Sequence, residues 1–372
     1  MTHKHIGGQR IYENELKCGV AFGSPEPNIL CILPALNMDS TLISILMPVK
    51  NAARFLDDCL ISILKQREVN WELVAVNDHS SDDSLGMLQK FGEQNKNVTV
   101  LDNRGSGIPD ALITAYETSQ GEFITRMDAD DVMPEKKLVN LLSPLKNNTK
   151  KVISLGLVEY FSVDDMGDGY RKYADWLNRM TSEGINFTEI YRECSLPSCA
   201  FMVRRSNLEA DGLLKNLEVP EDYDLCFRFY EHGYKVLPVN QVVHLWRDHP
   251  NRTSRTDQLY NIRSFGNFKM KRFLALENMA EKELCLWGAG KKGKDLAKYL
   301  GSVGVNFTWI TGNTKKQGNQ IHGFRVFDPQ EITFTKNKLI AIVVSNPDEQ
   351  KTIGDFLDER NMVKWKDYFF FF

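Results

Sequence analysis

Three carboxylates fall within four consecutive positions, Asp128, Asp130 and Asp131, directly after the strand-like run 122–127. Like charges this close repel one another unless a cation, or a donor such as Arg126, offsets them. An oxygen-rich set of this kind suits Mg²⁺ or Mn²⁺, which keep several waters and share their coordination with substrate phosphates. The plainer alternative is a solvated acidic loop leading into a helix near Pro134. Three other acids draw attention. Asp78 follows the apolar run 73–76, and Glu221-Asp222 opens a helical pattern, where acids complement the helix dipole.

These acids need elements to carry them. Residues 42–47 read as a buried strand ended by Pro48, and residues 54–66 place Phe55, Leu56, Cys59, Leu60 and Ile63 at helical spacing. Strands follow at 73–76, 98–101, 122–127 and 151–158. Helices are predicted after an N-cap at Ser80 or Ser81, with acids in the first turn, and then at 109–118 and 134–145. Such alternation predicts an α/β fold, a mostly parallel sheet flanked by helices. Ligands of these sheets bind beyond the carboxyl ends of the strands, where Asp78 and residues 128–131 fall. Residues 29–37 resemble residues 42–51, so either run could be the first strand. The second is chosen because an amphipathic helix follows it directly. Residues 1–40 are left as an N-terminal extension.

Beyond residue 160 the alternation weakens, and residues 160–200 read as a loop-rich, acceptor-facing region. A helix at 222–233 and a strand at 234–239 come next, and His244 is also assigned to a strand. A basic, polar stretch at 247–257 leads into a helix over 259–277, a linker between two domains. The expected division is 41–256, a linker at 257–281 and a smaller Rossmann-like α/β domain at 282–372. In the latter, the strand 284–287, the turn Gly288-Ala-Gly290-Lys-Lys-Gly293 and a helix from Asp295 give the context of a dinucleotide fingerprint. No acid stands at the end of the next strand, where residues 309–313 read Trp-Ile-Thr-Gly-Asn. The domain is therefore either a nucleotide-binding regulatory module or a structural, dimerising one. Its tail, residues 367–372, is expected to form a last strand.

Bulk properties exclude several classes. With 372 residues, 42% apolar, 26% charged and a net charge of −3, the chain has the composition of a globular protein without a broad basic surface for nucleic acid. Its seven cysteines include no C-x-x-C pair, which fits reduced thiols in a cytoplasmic compartment. No apolar run approaches the roughly 20 residues of a membrane span. Any membrane association, at the inner face of the cell membrane, would be peripheral.

Residues 41–255 resemble a family 2 glycosyltransferase with the GT-A fold. The likeness rests on Pro48-Val-Lys-Asn51, Val76-Asn-Asp-His-Ser-Ser-Asp82, residues 105–115, the run 121–131 ending Met-Asp-Ala-Asp-Asp, residues 197–205 and Pro220-Glu-Asp-Tyr-Asp-Leu-Cys-Phe-Arg228, in that order. The resemblance implies an inverting transferase (EC 2.4 class) moving a sugar from a nucleoside-diphosphate sugar, most plausibly UDP-linked, to a glycan or lipid-linked acceptor. Bacterial surface polysaccharide is the expected setting. It further implies that Pro48, Val49 and Asn51 line the nucleotide pocket, that Asp78 meets the base, and that Arg104 is a base-contacting polar residue. Asp128 would contact ribose or metal, Asp130 would ligate Mn²⁺ or Mg²⁺, and His249 would be a third ligand, preferred to His244. Arg247 or Arg252 would bind phosphate, and Asp222 would be the catalytic base. Asp131 supports the helix that follows. The sequence departs from the family at Asn77-Asp78-His79, where two acids and a glycine are usual. A noncatalytic sugar-nucleotide-binding protein with the same fold is the competing reading. Homo-oligomerisation through the C-terminal domain fits either.

Overall fold

The computed structural model describes residues 40–162, 168–215, 217–218, 220–250, 252, 262–277 and 279–372. The N-terminal extension, apart from residue 40, lies outside them, as does Thr253-Ser254 of the basic stretch. The first sheet has seven strands: β1 (Leu42–Val49), β2 (Asn70–Asn77), β3 (Val98–Asp102), β4 (Phe123–Arg126), β5 (Val152–Phe161), β6 (Phe201–Arg204) and β7 (Lys235–Arg247). Their spatial order is β3-β2-β1-β4-β6-β5-β7. All pairs are parallel except those made by β6, which runs antiparallel to both β4 and β5. Helices α1 (Ala53–Leu64), α2 (Ser84–Gln94), α3 (Gly107–Thr118) and α4 (Lys137–Leu142) make the crossovers of the first half. β1 and β2 are near-continuous apolar runs because both sheet faces are covered, and Ile43, Ile45, Met47, Leu73, Ala75 and Val76 have no exposed surface.

Several expectations need correction. Residues 160–200 are not mainly loop: a 16-residue helix, α5 (Asp168–Glu183), packs on the sheet through Leu177 and Met180. The strand expected at 234–239 extends to Arg247, because β5 offers it a partner along its full length after an irregularity near Gly156. Helix α2 begins beyond Asp83, so neither Ser80 nor Ser81 is its N-cap. Those serines instead fasten the β1–α1 turn: Ser80 Oγ accepts from Asn51 N at 3.0 Å, and Ser81 N donates to Asn51 Oδ1 at 2.7 Å.

Helices α6 (Arg205–Asp211), α7 (Glu221–Glu231) and α8 (Ile262–Leu276) lead to a second sheet. It comprises β8 (Glu283–Trp287), β9 (Phe307–Ile310), β10 (Gln320–Ile321), β11 (Phe324–Phe327), β12 (Lys338–Ile342) and β13 (Tyr368–Phe370), with helices α9 (Lys291–Ser302) and α10 (Pro347–Asp358). Its order is β10-β11-β9-β8-β12-β13, parallel but for β10. The chain thus carries a GT-A type sheet followed by a smaller Rossmann-like one. Strand alternation lets the last strand serve both cores. Tyr368 and Phe370 join the second domain's interior, while Phe369 and Phe371 pack on Tyr191 and Phe273. The wholly buried Lys269 of α8 ties the same seam, donating to Phe371 O at 2.5 Å and Arg192 O at 2.9 Å. Among the described residues no helix is long and apolar enough to cross a membrane.

Candidate active site

The parallel strands β1, β2 and β4 end at one edge of the first sheet, where β2 and β4 deliver the acids and β1 brings Lys50 and Asn51. After β2, Asp78 is buried, and each of its oxygens is held. Oδ1 accepts from Asn103 at 2.7 Å and from Gly107 N at 2.9 Å, and Oδ2 pairs with Lys50 at 3.0 Å. Burial works to raise its pKa, but the hydrogen bonds from Asn103 and Lys50 prevail and hold it below the usual carboxylate range. Asp78 N also donates to Val49 O, so that carbonyl is occupied within the fold. Asn51 lies beside it with φ 51°, its side chain spent on Ser81. Pro48 is part-buried at the end of β1.

The departure at His79 has a visible consequence. This residue adopts φ 54°, the left-handed conformation that favours glycine, and its Nε2 lies 2.9 Å from Gly105 O. Arg104 is turned away: it is exposed and paired with Glu117 at 2.6 Å. Its neighbour Asn103, which the sequence reading passed over, is the residue that meets Asp78.

After β4, the three acids of the cluster take three different partners. Asp128 Oδ1 accepts from Arg126 Nε at 2.7 Å, and Oδ2 from the Cys199 thiol at 2.9 Å. Arg126 also pairs with Glu221 at 2.9 Å, coupling the cluster to the start of α7. Asp130 Oδ2 lies 2.9 Å from His249 Nε2, and that ring packs on Phe55 with centroids 4.5 Å apart. Burial opposes ionisation of Asp130, yet the His249 hydrogen bond and the charge of Arg252 hold its pKa down.

Asp131 corrects another expectation. It does not support the following helix, since it is wholly buried and accepts from His244 Nε2 and Arg247 N, both at 2.8 Å on β7. Lys137, also fully buried, reaches Cys199 O at 2.6 Å and His244 Nδ1 at 3.4 Å. An ammonium facing Nδ1 makes that nitrogen an acceptor and leaves Nε2–H for Asp131. Burial pushes the Lys137 ammonium down to about 8 and the His244 imidazole well down. Burial and neighbouring Asp130 push the Asp131 carboxyl well up. Asp131 therefore anchors the acidic turn to β7 and leaves Asp130 facing His249. Arg247 is likewise committed to the fold, bonding Asp130 O at 2.9 Å and Asp58 at 2.9 Å.

Asp222 stands in the first turn of α7. Burial, with a further contribution from Glu221, raises its pKa to about 7. Its helix is pinned from below, since Asp224 bonds Arg228 within α7 and Arg272 on α8. Five described cysteines, Cys59, Cys194, Cys199, Cys226 and Cys285, are free and buried. Among the described residues no three His, Cys, Asp or Glu side chains converge as a ready-made metal cage. The carboxylate and imidazole of Asp130 and His249 suit a hard or borderline divalent cation only as part of a set, completed by phosphate oxygens and water.

Comparison with known proteins bears on the fold that carries these residues. The family model described as "Glycosyl transferase family 2" matches residues 44–212. Glycosyltransferase GlyG of Streptococcus pneumoniae is 26% identical over 229 residues, 59% of this chain and 74% of that protein. The Escherichia coli UDP-Glc:alpha-D-GlcNAc-diphosphoundecaprenol beta-1,3-glucosyltransferase WfgD is 36% identical over 113 residues, 30% of this chain and 44% of that one. Chondroitin synthase of Pasteurella multocida is 27% identical over 219 residues, 57% of this chain but 21% of the synthase. The crystal structure of S. aureus TarS 1-349 in complex with UDP-GlcNAc superposes with a TM-score of 0.50 at 17% identity, covering 70% of this chain and 71% of that chain. At that identity the likeness speaks for the fold alone. Residues 44–212 thus match the model of glycosyl transferase family 2, on a sheet of GT-A type.

Proposed function

We propose that the protein is an inverting, metal-dependent glycosyltransferase that takes its sugar from a nucleoside-diphosphate donor, UDP-linked, and passes it to a hydroxyl of a glycan or lipid-linked acceptor. The observation that carries this reading is the raised pKa and position of Asp222, joined through Glu221 and Arg126 to Asp128 at the strand ends. A carboxylate with a pKa of about 7 is matched to accepting a proton near neutrality. As the acceptor oxygen attacks the anomeric carbon, its proton passes to Asp222. The bond from that carbon to the diphosphate oxygen breaks on the opposite face, which inverts the configuration. Asp78, fixed by Asn103 and Lys50, is suited to hold the base, and Asp128 the ribose. Asp130 and His249 would hold Mn²⁺ or Mg²⁺. When bound, such an ion supplies positive charge against the departing diphosphate. Two of the relatives are named for glucosyl transfer to a GlcNAc-diphosphoundecaprenol and for chondroitin synthesis, which supports a lipid-linked or glycan acceptor.

The test is a thermal-shift titration of UDP and UDP-sugars with and without Mn²⁺, on wild type and Asp130→Ala. Mn²⁺-dependent stabilisation of the wild type that vanishes in Asp130→Ala is expected. Equal stabilisation in both proteins would refute the metal assignment, and binding without any transfer to any acceptor would favour the noncatalytic alternative.

A further inference from the structure

The second sheet carries a cavity of about 990 Å³ at the carboxyl ends of β8, β9 and β12. β9 lies on one side of β8 and β12 on the other, so the cavity sits where the strand order reverses, the position at which open α/β sheets bind ligands. Its volume matches that of a small-molecule site rather than a packing defect.

The three glycines of the turn after β8 differ in what they are for. Gly288 has φ 127°, and a Cβ there would press on Val343. A Cβ on Gly293 would stand 2.0 Å from Gly288 O, so close helix–strand packing excludes any side chain. Gly290 has no such reason. Its φ is −74°, which any residue adopts, and a Cβ there would meet nothing within 4 Å. What a side chain would occupy at 290 is the open cavity itself.

The same turn begins α9, whose first N–H groups receive no capping side chain. Those groups, Lys291 and Lys316 line one wall. Lys316 Nζ also donates to Ala289 O at 2.8 Å, and Trp309 Nε1 donates to Gly288 O at 2.9 Å, so the turn is fixed in advance. Asp295 and Glu349 line the cavity too. The lining also includes Lys291, Lys292 and Lys316, of which Lys292 holds its ammonium 3.8 Å from the Phe372 ring centroid. The end of β9 presents Thr311 and Asn313, neutral hydrogen-bonding groups suited to sugar hydroxyls.

We infer that this cavity is a second, metal-independent binding site for the diphosphate of a nucleotide, with Gly290 left bare so that the backbone can approach the phosphates. The diphosphate lies over the N–H groups opening α9, with Lys291 and Lys316 neutralising its charge. The inference does not depend on the chemistry at Asp222.

Hydrogen exchange on the full chain, in EDTA, with ADP, UDP-GlcNAc or NAD⁺ added separately, tests it and separates mononucleotide from dinucleotide sources. At least one probe should slow exchange over residues 288–295, saturably. Gly290→Leu, which fills the cavity without meeting protein atoms at its Cβ, should weaken that protection by about tenfold or more. Lys291→Glu should weaken it in the same direction, and both variants should keep the wild-type melting temperature. The inference is overturned if no probe at about 5 mM alters exchange at 288–295, or if Gly290→Leu and Lys291→Glu leave the protection unchanged. Protection at 78–131 reports on the first domain and is scored separately.

Discussion

The two domains place a candidate phosphate site at the same topological position, beyond the carboxyl ends of parallel strands, yet they build it from opposite materials. At the first sheet the site is made of side chains, each restrained by another: Asp78 by Asn103 and Lys50, Asp128 by Arg126 and Cys199, Asp131 by His244. At the second sheet it is made of backbone, a glycine turn and uncapped helix N–H groups, with lysines at the margin. The difference teaches that a parallel sheet supplies location, and that chemistry requires ionisable groups held at unusual protonation. The first site has several, in Asp131, His244 and Asp222.

The comparison can be broken most forcefully at Asp222. Asp222→Asn should cut kcat by about a hundred- to ten-thousandfold, with donor affinity nearly unchanged, in single-turnover and binding assays. Retained transfer would remove Asp222 as the base and make the two sites alike. The wild-type rate should rise with pH through about 7 as the carboxylate forms.

Stability separates the sites next. Lys137→Met leaves Cys199 O and His244 Nδ1 without their buried donor and should cost about 2–4 kcal/mol in chemical denaturation. In the second domain, Gly293→Ala drives a methyl into Gly288 O and should cost a similar amount, about 2–4 kcal/mol. Gly290→Ala should cost under about 0.5 kcal/mol. Equal losses at 290 and 293 would mean that Gly290 is structural after all.

A pH series sharpens the contrast further. The folded pKa of Asp222 lies above its unfolded value, so its contribution to stability is full below about 4 and lost as pH rises through about 7. Asp222→Asn should therefore gain on wild type across that window, by roughly 1–3 kcal/mol at pH 8. The smallest effect belongs to Arg104→Ala. That exposed ion pair with Glu117 should contribute less than about 1 kcal/mol, and nucleotide affinity should stay within about twofold. Asn103→Ala should weaken nucleotide binding more.

The edge strand β3 was legible because Val98, Val100 and Leu101 stand out from their polar flanks, and strands β1, β2 and β4 because each carries a short apolar run buried on both faces. The same holds for β8 and β12. Helix α5 was legible and overlooked: Tyr170, Tyr173, Ala174, Leu177 and Met180 fall at helical spacing, but the many charged residues between them made the segment read as loop. Strand β6 is four residues long and is defined by antiparallel partners some 50 to 80 residues away in sequence. Asn103 was hidden beside the more conspicuous Arg104, since nothing local tells which of two adjacent polar side chains turns inward.

From the residues alone it follows that an acidic turn succeeds a buried strand, with a second acid before it and a third opening a later helix. Charge density and strand periodicity are local properties, readable without a fold. Which carboxylate does what was decided only by tertiary structure. Asp131 is withdrawn into a buried contact with His244, Asp128 is held by Arg126, and Asp130 is left beside His249. Those partners lie up to 119 residues away, and protonation depends on burial and neighbouring charge, which exist only once the chain has packed.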